Sequence, residues 1–286
     1  MGQRIRSSLA GCLTVLGLAA ACGGHPTPAG TSVSAAGYSQ QAELAPSDAS
    51  GDDFGVSVAL SASGTTALVG SDLHKLSTGA AYMFTLRGGS WSQTAELTPS
   101  GGAQADDFGF SVALSASGTT ALAGAPGRHS SSTGAAYVFT LRGGTWSQTA
   151  ELTASDGARN DWFGISVALS ASGTTALAGA PGRHSDTGAA YLFTLRGGTW
   201  SQTAELTASD GARKDAFGDS VALSPSGTTA LAGAPGRHSD TGAAYLFRLR
   251  GGTWSQTAEL TASNEYAGVF GRSDRKSTRL NSSHWS

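Results

Sequence analysis

Residues 108–152 read FGFSVALSASGTTALAGAPGRHSSSTGAAYVFTLRGGTWSQTAEL. Phe108, Phe110, Val112 and Leu114 alternate with Gly109, Ser111 and Ala113, the period of a half-buried strand. Ser115-Ala116-Ser117-Gly118 is a turn. A second strand follows from Thr119 to Ala125, ending at Pro126-Gly127. Tyr137, Phe139 and Leu141 alternate again, so Ala135 to Leu141 is the third strand. Arg142-Gly143-Gly144 is a tight turn, where glycine accepts positive φ without penalty. Trp146, Gln148, Ala150 and Leu152 alternate with Ser147, Thr149 and Glu151 and make the fourth strand. No segment has a helical apolar stripe of useful length, so the body of the chain is predicted to be all-β.

Outward from this stretch, the same unit recurs. Tyr38 opens YSQQAEL, and Trp91, Trp146, Trp200 and Trp254 each open WSQTAEL, at spacings of 53, 55, 54 and 54 residues. Phe54-Gly55, Phe108-Gly109, Phe163-Gly164, Phe217-Gly218 and Phe270-Gly271 keep the same register. GAPGRHSDTGAAYLF stands at residues 179–193 and again, unchanged, at 233–247. Units this uniform must pack one local structure against its own copy. Four antiparallel strands per unit match a β-propeller blade, and the small Ala and Gly residues suit close sheet-on-sheet packing. A stacked solenoid with long rungs is the competing architecture; four distinct strands separated by glycine turns argue against it. The predicted blades are 54–97, 108–152, 163–206 and 217–260, with a lone fourth strand at Tyr38–Leu44 and a fifth unit beginning at Phe270.

FG, then SVALS, a serine-glycine turn, ALAGAP, GAAYLF and W-S-Q together resemble the FG-GAP repeat. The GAP is Gly124-Ala125-Pro126, Gly179-Ala180-Pro181 and Gly233-Ala234-Pro235; the first unit departs with Gly70-Ser71-Asp72. The family is similar to the N-terminal β-propeller of integrin α chains and to many exported bacterial proteins, and its usual ring has seven blades. The resemblance therefore implies an incomplete propeller of four full blades, with exposed edges and a liability to aggregate.

The ends of the chain read differently from its body. Arg4 and Arg6 precede an apolar stretch, Leu9 to Ala21, that is too short and wrongly flanked for a membrane span and reads as a secretory signal over residues 1–21. Leu18-Ala19-Ala20-Ala21-Cys22 resembles the bacterial lipoprotein box, with alanine at 19 where that pattern prefers leucine. The resemblance implies lipidation of Cys22 and an acyl-chain anchor in a bilayer. Gly23 rather than aspartate then favours the outer membrane; secretion or a periplasmic location is the alternative. Residues 22–37 read as a tether rich in small polar residues and proline. With Cys12 in the signal and Cys22 lipidated, no cysteine remains for a disulfide. In the fifth unit the expected Val-Ala-Leu-Ser is replaced by Asp274-Arg275-Lys276-Ser277 and a polar run to Ser286, which resembles a translated sequencing adapter; residues 274–286 are set aside as non-native. A natural basic tail that meets an anion is the competing reading.

Composition bounds the function. Glycine is 41 of 286 residues, roughly twice the ordinary share, and only 13% of residues are charged. The formal net charge is −2, and −6 for residues 22–273, which disfavours nucleic acid. No G-x-S-x-G, H-E-x-x-H or Walker loop is present, and a repeat that fixes the same few residues in each unit does not converge different ones on a reaction, so no catalytic residues are assigned. His129, His184 and His238 recur in one loop, beside Arg128, Arg183 and Arg237. They lie a blade apart, too far to share one ion. They read as turn residues or as a candidate binding rim. The acids before each FG lack the dense oxygen spacing of a calcium loop, so neither a metal nor another cofactor is expected. Phe54, Phe108, Phe163 and Phe217 read as core, and Trp91, Trp146, Trp200 and Trp254 as packing between blades. Trp162 and Asp219 break the repeat. The expected function is a lipid-anchored binding or scaffold module at the bacterial surface, for an unidentified protein or glycan. The alternative is part of a larger enzyme or calcium-dependent adhesion protein.

Overall fold

The computed structural model describes residues 40, 42–48, 53–262 and 270–272. The expected signal over 1–21, the expected lipidation site at Cys22, the whole 22–37 tether and the segment 274–286 lie outside them. All strands fall in the unit Ala42–Ser286.

Among the described residues, sixteen strands form four separate sheets of four. The first blade has β1 (Val58–Leu60), β2 (Thr66–Ser71), β3 (Ala80–Arg87) and β4 (Ser90–Leu97). The second has β5 (Ser111–Leu114), β6 (Thr120–Ala125), β7 (Ala135–Arg142) and β8 (Thr145–Leu152). The third has β9 (Val167–Leu169), β10 (Thr175–Ala180), β11 (Ala189–Arg196) and β12 (Thr199–Leu206). The fourth has β13 (Ser220–Leu223), β14 (Thr229–Ala234), β15 (Ala243–Arg250) and β16 (Thr253–Leu260). Each sheet is an antiparallel meander in chain order, as a propeller blade requires. The first strands β1, β5, β9 and β13 run past one another in succession. Turn-to-turn hydrogen bonds link their ends: Ala62 N–H to Ala116 O, Ala116 N–H to Ala171 O, and Ala171 N–H to Pro225 O, each 3.0 Å.

The seams between blades carry the core. Leu68, Ala81, Met83 and Leu97 of the first blade pack against Phe108, Val112, Ala121, Ala123, Tyr137 and Phe139 of the second. The same surfaces meet twice more, through Leu122, Val138 and Leu152 and then through Leu177, Leu192 and Leu206. Each blade thus has a leading face of alanines and aromatics and a trailing face of leucines. Phe108, Phe163 and Phe217 are fully buried, edge-on or tilted to two aromatic rings of their own blade.

The recurring dipeptide and tripeptide form a backbone clasp. Gly79 and Phe108 pair as an isolated parallel bridge across the first seam, and Gly134–Phe163, Gly188–Phe217 and Gly242–Phe270 repeat it. Gly109 turns with φ +88°, and Ser57 Oγ donates to its carbonyl at 2.7 Å. A Cβ on Gly124, first residue of GAP, would overlap the carbonyl oxygen of Gly164 in the next blade. Glycine is needed at both positions, once for a left-handed turn and once for close backbone approach.

Two expectations are corrected here. The first strand of the second blade begins at Ser111, not Phe108, because Gly109 breaks the extended backbone. The lone strand expected at Tyr38–Leu44 is not a strand over its described residues, 40 and 42–44.

Candidate functional site

Antiparallel meanders put the β2–β3, β6–β7, β10–β11 and β14–β15 loops at one end of the molecule, with the connectors between blades. The loops and connectors are hydrogen-bonded together: Asp107 N–H to Ser77 O at 2.8 Å, Asn160 N–H to Ser131 O at 2.8 Å, and Ala216 N–H to Asp186 O at 2.9 Å. The Gln of WSQ secures each connector. Ser47, Ser100, Ser155 and Ser209 donate their N–H to Gln93, Gln148, Gln202 and Gln256 Oε1 at 2.8–2.9 Å.

The arginines of the candidate rim turn inward on this face. Arg128, Arg183 and Arg237 expose 14–17% of their side chains. Arg128 pairs with Asp106 at 3.0 Å and donates to Gly101 O at 2.7 Å. Arg183 pairs with Asp156 and donates to the Tyr191 hydroxyl at 3.1 Å. Arg237 pairs with Asp210 and reaches Asp215 at 3.4 Å. Burial works against charge on Asp156, yet the Arg183 guanidinium and the Tyr191 hydroxyl hold its carboxyl below the usual range. Asp210 behaves likewise under Tyr245 and Arg237. Burial pushes Asp161 up, against the Ala158 N–H that it accepts at 2.7 Å. These guanidiniums neutralise carboxylates of the connectors, buried at Asp106, Asp161 and Asp215 and exposed at Asp156 and Asp210.

The histidines beside them point outward. His129 and His238 expose 43% and 45% of their side chains and meet Glu151 and Glu259 at 3.1 and 2.9 Å. His184 is also exposed. Trp91, Trp146, Trp200 and Trp254 are half-buried on the leading-face clusters. Phe54 is half-buried on the first blade. The residue before the FG of the four blades adopts left-handed φ: Asp53, Asp107, Trp162 and Ala216 lie at 52–55°. Aspartate tolerates that conformation; a bulky tryptophan is an outlier there. Trp162 is nonetheless 42% exposed.

The first blade departs from the other three. Asp72 replaces the proline of GAP and is 7% exposed, and its Oδ1 accepts no hydrogen bond within the described residues. Burial pushes its carboxyl up to about 6, with the Asp107 and Asp53 carboxylates adding to the rise and its own backbone N–H opposing it. His74 takes the arginine position and is buried. Its Nε2 lies 3.5 Å from Asp48 Oδ2 and 3.7 Å from Glu96 Oε1, and the Tyr82 hydroxyl is 3.4 Å from its Nδ1. Sequence reasoning passed over His74, because the Pro-Gly-Arg-His frame used to find the other histidines is absent there. The cue was the break in the frame itself.

No helix among the described residues is long and apolar enough to cross a membrane. A search of curated proteins finds no match. The profile of the FG-GAP repeat matches residues 38–84, 91–139, 146–193 and 200–247. The second to fourth matches run one strand ahead of the sheets, each beginning on the last strand of one blade, and all four end on the third strand of a blade. With four matches in one register and four sheets built on the same clasp, the chain belongs to the FG-GAP repeat family.

Proposed function

We propose that this protein is an exported, lipid-anchored β-propeller that binds a partner through the loop-and-connector face. Anchoring rests on the run of small residues directly before Cys22, behind a basic and then apolar leader. Binding rests on Trp162. An exposed tryptophan held at φ 52°, where the second blade has aspartate, sits in a conformation that bulky side chains avoid. A ring so placed offers a flat apolar surface to the face of a sugar or to a protein side chain. The paired arginines argue for an aromatic and imidazole surface rather than a cationic one.

Two measurements test this. Growth with an alkynyl fatty acid should label the protein, and Cys22→Ser should abolish both the label and recovery in the membrane fraction. Trp162→Asp copies the second blade, relieves the left-handed strain and should not lower the melting temperature. It should remove binding to glycans or envelope proteins immobilised on an array. An unlabelled parent chain would refute the anchor, and undiminished binding by Trp162→Asp would refute the binding site.

A further inference from the structure

We propose that Asp48, His74 and Glu96 of the first blade form a site for a divalent transition metal, best suited to Zn²⁺. The coordinating atoms lie within 4.8 Å of one another. The separations from His74 Nε2, 3.5 and 3.7 Å, are close to the roughly 3.3–3.4 Å edge of a tetrahedron of ligands about 2.0–2.1 Å from zinc. The Tyr82 hydroxyl donates to Asp48 Oδ1 at 3.1 Å and lies 3.4 Å from His74 Nδ1, so one phenol steadies two of the three ligands. His74 Nε2 faces two carboxylate oxygens, whose charge a metal cation held here would balance.

The other blades show what that cation is elsewhere. At the position of His74 they hold Arg128, Arg183 and Arg237, each paired with carboxylates. Only the first blade has an imidazole at this place and keeps the acids. Lys75, 3.6 Å from Glu96, is 67% exposed and free to swing away. Imidazole nitrogen with two carboxylates suits zinc and not calcium, which needs six to eight oxygens. Asp48 and Glu96 are 38% and 31% exposed, which leaves the fourth position open to water. The similar trio of Asp156, His184 and Glu205 is wholly exposed, and Arg183 already pairs with its aspartate.

Isothermal titration of the chelator-treated full chain with Zn²⁺, and Co²⁺ absorption spectra, test the site. The expected result is one zinc per chain with Kd below about 100 µM, with no response to Ca²⁺. His74→Arg, which copies the other three blades, should weaken zinc at least about tenfold, while His184→Ser changes nothing. If His74→Arg fails to fold, Glu96→Gln is expected to show the same loss. No zinc binding by the parent chain, or equal binding by His74→Arg and Glu96→Gln, would overturn the proposal.

Discussion

The first blade and the second are built on the same sequence pattern, yet they differ in how much of that pattern is buried. In the second blade Val112 is 9% exposed and Phe108 is fully enclosed. In the first, Val58 is 71% exposed, Leu60 is 63% exposed and Phe54 only half-buried. The residues are of the same type; what differs is the trailing face of a neighbour, present for the second blade and absent among the described residues for the first. The fourth blade shows the mirror image. Leu260 is 43% exposed, whereas Leu97, Leu152 and Leu206 are 2–3% exposed. A groove of about 310 Å³ opens beside it, lined by Val221, Leu231, Ala244 and Phe270. The hydrophobic stabilisation of this fold belongs to the seams between blades, not to the blades singly.

That contrast can be broken most severely at the clasp. Gly179→Ala places a methyl on the Gly218 carbonyl, backbone against backbone, with no side chain free to give. It should cost roughly 4 kcal/mol or more and leave the third and fourth blades unjoined, read as loss of cooperative urea unfolding. A sharper, smaller test pairs equivalent apolar deletions. Val112→Ala, inside a seam, should cost about 1–3 kcal/mol, while Val58→Ala, on the uncovered face, should stay within about 0.5 kcal/mol. Equal losses would mean that the first blade's leading face is covered in solution. The smallest effect concerns charge in the second blade. Burial and the neighbouring Asp106 carboxylate raise the Asp107 carboxyl above its ordinary value. Its folded form therefore holds protons more tightly than the unfolded chain, and stability declines as pH rises through that raised value. Asp107→Asn suits the left-handed φ of 55° and should flatten that decline, with a gain below about 1 kcal/mol at neutral pH. Denaturant titrations across the acid range would show it.

Much of this was legible in the sequence. Glycine turns and period-two alternation gave the strand count, and the repeated Phe-Gly marked each blade. What escaped was geometry that alternation cannot express. WSQTAEL reads as one face from Trp146 to Leu152, yet Trp146 packs on the leading cluster and Ala150 and Leu152 on the trailing one. A bulge causes this: Phe139 pairs with Gln148 and Val138 with Ala150, so Thr149 is left over and the strand changes sides. Its hydroxyl donates to Val138 O at 3.3 Å. The arginines also misled, since a basic residue in a loop reads as solvated until its carboxylate partner, 22 or 27 residues upstream, is brought beside it. His74 was hidden for the opposite reason, in a unit whose loop had lost the common spelling.

The clasp has a consequence for how such genes change. Every junction is made from the same two surfaces, so a duplication or deletion of one whole unit exchanges like for like and creates no unfamiliar contact. Copy number can therefore change by whole units without a new kind of contact. The check on it is circumference, whether the last blade arrives where the first one begins.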